Sequence, residues 1–182
     1  MTNIEKKLHS DIANWIFDWV SQYNENLKSV PCPFAKQAYT NDKILIKLIE
    51  TTKEYSISET IFTYISTIIQ NWPENKEVVI LGCLPDVISV SDFEKTVEDC
   101  NNRILIPHGY IALEDHPAMP EIIAGESMNQ GSWALIMIQK FSKLNHASEV
   151  LKKQGYYDTW SKQNFDEVVR WRPKKLLILF IF

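Results

Sequence analysis

A chain of 182 residues, 45% hydrophobic, 12% aromatic and 23% charged, carries enough apolar surface for one sizeable core and is not disordered. Its net charge of -4 speaks against nucleic acid or an anionic membrane as partner, because both recruit clustered Lys and Arg. Such a cluster occurs only as Arg170, Arg172, Lys174 and Lys175, near the end.

Apolar residues at Ile4, Leu8, Ile12, Trp15, Ile16, Trp19 and Tyr23 follow three-and-four spacing and predict an amphipathic helix, with Lys6, Lys7, Asp11 and Asp18 on its polar face. His9 and Asp11 are then solvated. In the segment Pro31-Cys32-Pro33-Phe34-Ala35-Lys36-Gln37-Ala38, each proline holds the residue before it extended, and Pro33 is suited to the first position of a helix. This would put the Cys32 thiol at a helix start, where the dipole and free N–H groups favour a thiolate, with Lys36 one turn on adding to the effect. The competing reading is an inert, buried cysteine in a rigid turn.

Alternation from Lys43 to Glu50 predicts a first strand. Ser56 and Glu59 have capping-box spacing ahead of a helix through Ile57, Ile61, Tyr64, Ile65, Ile68 and Trp72, stopped by Pro73. The nearly continuous apolar run Val78 to Leu84 predicts a strand covered on both faces, with Cys83 in the core. Ser91-Asp92-Phe93-Glu94 repeats the capping-box spacing and starts a third helix, its Phe93, Val97 and Cys100 facing inward.

Ile104 to Pro107 leads into a strand, Tyr110 to Glu114, followed by Asp115-His116-Pro117, a loop to Ser132 and a strand from Trp133 to Phe141. About eighteen residues between two strands is long for a compact domain, and such loops tend to carry function. Ser142 would cap a helix through Leu144, Ala147, Val150 and Leu151, ended by Gly155. An aromatic turn, Tyr156 to Trp160, precedes a short helix capped by Ser161 and carrying Phe165, Val168, Val169 and Trp171. The apolar tail Leu176 to Phe182 falls far short of the roughly 20 residues that span a bilayer. It reads as an edge strand, a tail docked on the core or a truncation.

With no internal repeat or low-complexity linker, residues 1–182 form a single domain. The element order predicts an α+β fold, a mixed four-stranded sheet with helices packed on it and a ferredoxin-like flavour; the alternative is a three-layer α/β sheet. Strand order is not readable from the pattern. Three scattered cysteines, Cys32, Cys83 and Cys100, form no disulfide framework, and no signal peptide precedes the first helix. Reduced thiols in a cytoplasmic protein follow.

No Gly-rich phosphate loop, Cys-x-x-Cys, His-Glu-x-x-His or Gly-x-Ser-x-Gly is present. Chemistry is left to the Cys32 turn and the strand end Glu114-Asp115-His116. If the two meet, His116 would serve as general base to the Cys32 thiol, with Asp115 or Glu114 orienting it. Equally, Cys32, His116 and a carboxylate would suit zinc or iron. Lys36, Asn129 and Trp133 are the candidate substrate-binding residues; Glu121, Glu126, Asn129 and Gln130, with Trp133 as an apolar wall, would line a pocket beside His116 or else form ordinary loop surface. A His-Pro step after a strand also reads as a plain turn, as does His108, while His146 falls among the polar positions of its helix.

Cys32-Pro33-Phe34-Ala35 after an aromatic amphipathic helix, with His116-Pro117 in the second half and an Asn-containing loop before an apolar strand, resembles a family of uncharacterised bacterial proteins of similar length known for a Cys-Pro-Phe-Ala motif. Met128-Asn129-Gln130-Gly131-Ser132-Trp133 stands where that family has an Arg-Ser-Pro-like stretch. The resemblance implies a place for the site and no particular reaction. Two functions are therefore expected: a small cytoplasmic enzyme acting on a small polar molecule through Cys32, His116 and a carboxylate, or a non-catalytic ligand-binding or protein-interaction module using the long loop and the aromatic stretch Tyr156 to Trp160.

Overall fold

The computed structural model describes residues 1–51, 54–158, 160–166 and 169. Helix α1 (Asn3–Trp15) opens on Thr2, whose hydroxyl accepts from the Glu5 amide at 3.2 Å while the Glu5 carboxylate accepts from the Thr2 amide at 2.7 Å. It continues into a wider π-type turn, Ile16–Val20. There follow α2 (Ala35–Thr40), β1 (Ile44–Leu48), α3 (Ile57–Gln70), β2 (Val78–Cys83), α4 (Val90–Cys100) and β3 (Tyr110–Asp115). A small hairpin of β4 (Ile122–Ile123) and β5 (Glu126–Ser127) precedes β6 (Ala134–Lys140), α5 (Phe141–Lys153) and α6 (Lys162–Phe165).

The α+β class holds, with a mixed four-stranded sheet in the order β1-β2-β6-β3. β1 and β2 run parallel and pair directly across the α3 crossover, and β6 is antiparallel to both its neighbours. The ferredoxin-like expectation fails on this point, because that fold splits its parallel strands. Helices cover both sides of the sheet.

Strand alternation sorts the sheet into two faces. Leu45, Val79, Ile138 and Ala112 lie in register on one face, where α3 and α4 bring Ile61, Ile65, Phe93, Val97 and Cys100, all wholly buried. Asn101, buried just past α4, hydrogen-bonds both ways with the Ala112 backbone, at 2.8 and 3.0 Å, and so occupies the outer edge of β3. On the other face Ile46, Ile80, Met137 and Leu113 lie in register, and α1 with the π-type turn sets Leu8, Ile12 and Ile16 against Ile46, Leu48, Ile80 and Leu135. Gly82 permits that approach: a Cβ there would stand 2.7 Å from Leu8 Cδ1.

Several local expectations shift. Ser56 forms its capping box with Glu59, but α4 is capped by Ser89, whose hydroxyl accepts from Asp92 N–H, rather than by Ser91. α5 starts at Phe141, one residue ahead of Ser142. Asp11 is not simply solvated: its carboxylate accepts from Lys7 Nζ at 2.5 Å and from the Trp133 indole at 2.8 Å. The long loop closes on itself through the two-residue turn Ala124-Gly125, both at positive φ, the backbone that a tight β-hairpin requires. Among the described residues no helix is long and apolar enough to cross a membrane. The predicted Val168 and Trp171 positions, the basic cluster from Arg170 to Lys175 and the tail Leu176 to Phe182 lie outside the described residues.

Candidate functional site

The two segments predicted to share a site are not brought together. β3 alternation puts His116 on the α4 side, where its ring packs against Phe93 with centroids 5.5 Å apart. Its Nδ1 accepts from Ala118 N–H at 3.2 Å, which leaves the proton on Nε2 to be donated to the Pro85 carbonyl at 3.3 Å. Both nitrogens of this buried imidazole are thus engaged in holding the loop. Cys32 lies over the opposite face, beside a groove floored by Ile44, Ile80 and Met137. Its backbone N–H donates to the Val20 carbonyl at 2.9 Å, tying the turn to the end of the π-type turn.

Cys32 does precede a helix, but that helix begins at Ala35 and is six residues long. Burial pushes the thiol up from its usual range, and the N–H groups of Phe34 and Ala35 that reach it pull the other way without prevailing. The thiolate expectation is corrected accordingly. Lys36 does not assist, since it is exposed and its Nζ lies 5.9 Å from the Phe17 ring centroid. Cys83 and Cys100 are core residues, with thiols pushed by burial to about 11 and about 12.

Asp115 and Asn129 do meet, for a structural purpose. The buried Asp115 carboxylate accepts from Asn129 Nδ2 at 2.8 Å and from the Gln130 amide at 2.8 Å. Burial raises its pKa, and these two donors oppose the rise. Asn129 Nδ2 also donates to the carbonyls of His116 and Met119, at 3.2 and 3.0 Å, while its Oδ1 accepts from Glu121 N–H at 2.8 Å. One amide side chain thereby gathers both ends of the long loop. Trp133 is 2% exposed, part of the core beneath α1 rather than a pocket wall. Glu114 is exposed on edge strand β3, and Glu126 accepts from Asn26. Among the described residues no group of three or more His, Cys, Asp or Glu is placed to hold a metal ion, so the zinc or iron reading finds no ligand set there.

The structure offers instead the groove on the α1 face. Its volume is about 870 Å³, within the range of about 300–1,000 Å³ usual for small-molecule sites. Trp15 and the Pro31–Ala35 turn wall one side; Leu144, Ala147 and Leu151 of α5 wall the other. The aromatic turn closes it, with Tyr157 edge-on to Tyr156 and to Trp160 at 5.0 and 5.1 Å between centroids. Tyr156 donates its hydroxyl proton to the Pro31 carbonyl, bridging the two walls. No protein-family model, curated protein or solved structure matches this chain.

Sequence patterning had pointed to the Tyr156 to Trp160 stretch as an exposed contact surface; Tyr156, Tyr157 and Trp160 are half-buried in the groove wall. Trp15, Met137 and Leu144 were missed as site residues. Each looks like an ordinary core position, and what makes it a lining residue is the gap between α1 and α5, which no local pattern encodes. His146, expected among solvated positions, also lines the groove.

Proposed function

We propose that the protein is a non-catalytic binding module that takes a small molecule with an apolar body into the groove between α1 and α5. The groove itself carries this reading. It is large, mostly apolar and partly roofed, burial raises the pKa of its Cys32 thiol, and His116 faces the other side of the sheet. Unpaired cysteines, two of them buried, fit the cytoplasmic setting proposed with it. The enzyme reading needs Cys32 and His116 within hydrogen-bond reach, and their opposite faces argue against it.

Ten-carbon amphiphiles test the reading. Saturable quenching of tryptophan fluorescence by methyl decanoate, with Cys32 protected from iodoacetamide at pH 9, is the expected result. Met137→Trp, which fills the floor, should abolish both. Labelling of Cys32 that is unaffected by saturating methyl decanoate would remove the proposal.

A further inference from the structure

The last described residue, Val169, lines the groove. The chain arrives there by way of the roof. After the aromatic turn, α6 brings Phe165 onto Tyr157, with ring centroids 5.2 Å apart, and four residues later Val169 is half-buried in the same lining as Tyr157 and Trp160. The chain has therefore reached the groove before its sequence turns wholly apolar at Leu176.

Six residues separate Val169 from Leu176, and four of them, Arg170, Arg172, Lys174 and Lys175, are cations. An extended chain covers about 3.3–3.6 Å per residue, so the apolar run begins within about 25 Å of the groove lining. Leu176-Leu177-Ile178-Leu179-Phe180-Ile181-Phe182 has no polar position. Alternation would suit a strand with one face in water, whereas an unbroken run suits a place that is apolar on more than one side. The groove is such a place, with Ile80 and Met137 on its floor, Trp15 and Leu144 in its walls and Tyr157 in the turn that closes it. The cations ahead of the run are costly to bury and long enough to keep their charge in water at the rim.

We propose that Leu176–Phe182 folds back into the groove of its own chain and regulates the entry of a ligand. Tethering favours this occupant over the same segment of a second copy, because a short linker sets an effective concentration on the order of millimolar, well above that of a second copy in dilute solution. A ligand then meets an open groove in only a fraction of molecules, and its apparent affinity falls by that fraction. Regulation rests on the groove being the ligand site; access to Cys32, which also lines it, needs no ligand and judges the docking separately.

In the full chain, Leu179→Asp combined with Phe180→Asp should let iodoacetamide label Cys32 at pH 9 about tenfold faster than in the wild type, and should tighten methyl decanoate binding about tenfold, as for a groove open in one wild-type molecule of ten. A synthetic peptide of residues 170–182 should return the variant to slow labelling. Cys83 and Cys100, buried in the core, report on the fold and should stay slow in both proteins; if the Asp pair exposes them, Leu179→Ser combined with Phe180→Ser is read in its place. Equal Cys32 labelling in the wild type and a folded variant overturns the docking and leaves the groove as a ligand site. Wild-type labelling that quickens on dilution, with the variant unchanged, places the segment in a second copy and overturns the intramolecular form. Faster labelling of the variant without any methyl decanoate binding supports the docking and removes the small-molecule reading instead.

Discussion

The sheet has one face packed shut and one left partly open. On the α3 and α4 side, the interior is filled by Phe93, Ile61, Ile65, Val97 and Cys100 against Val79, Leu81, Ile136 and Ile138, each 1% exposed or less. On the other side α1 covers only part of the strands; beyond Ile16 the floor at Ile44 and Met137 meets the groove. His116 packs on the closed side at the start of the long loop, while the open side has aromatic and aliphatic walls beside Cys32. Packing is thus complete around His116, and incomplete over Ile44 and Met137. A buried imidazole with both nitrogens paired is a structural strut.

The contrast is broken most severely by truncation. Phe93→Ala should cost about 3–5 kcal/mol in denaturant unfolding, because the closed side cannot collapse around the cavity. Met137→Ala, on a half-buried groove position, should cost about 1–2 kcal/mol. Equal losses would mean that the groove is packed core and that the two faces do not differ.

A smaller effect is expected at the loop. Asn129→Ala removes the group that joins Asp115, His116, Met119 and Glu121, which should lower stability by about 1–3 kcal/mol. Limited proteolysis should then cut between residues 117 and 131 first. Wild-type resistance in the variant would show that the loop is held by its hairpin alone.

The smallest effect is a pH dependence. Burial raises the Asp115 pKa, so the protonated form is favoured by folding. Its contribution is fully present below the unfolded pKa of about 4 and is lost as pH rises through the raised folded value. Measured against Asp115→Asn, wild-type stability should therefore fall as pH climbs from about 4 toward neutrality. A flat difference across that range would mean that the Asn129 and Gln130 hydrogen bonds cancel the effect of burial.

Much of the scaffold was legible because its signals are local. Ser56 and Glu59 announce α3, the run Val78 to Leu84 announces a strand buried on both faces, and Gly155, at φ +74, stops α5 as expected. The site was legible only in part. Period-two alternation already separates residues 115 and 116 onto opposite faces, which weakens any site that uses both. Which face Cys32 overhangs depends on where α1 docks, and that is decided by long-range contacts such as Leu8 over Gly82. Asn129 was legible as a polar loop residue; its five hydrogen bonds depend on a loop conformation that no motif in the sequence specifies.

Strand order also sets a timetable for the nascent chain. β6 is the last of the four strands in the sequence, yet it pairs with both β2 and β3. Until residues 134–140 emerge from the ribosome, β2 can pair only with β1, and β3 has no neighbour. Two unsatisfied strand edges, one of them along the apolar run Val78–Cys83, then stay exposed until β6 is made. Completion of the sheet waits on a single late insertion, which makes this step the one most open to misassociation between growing chains.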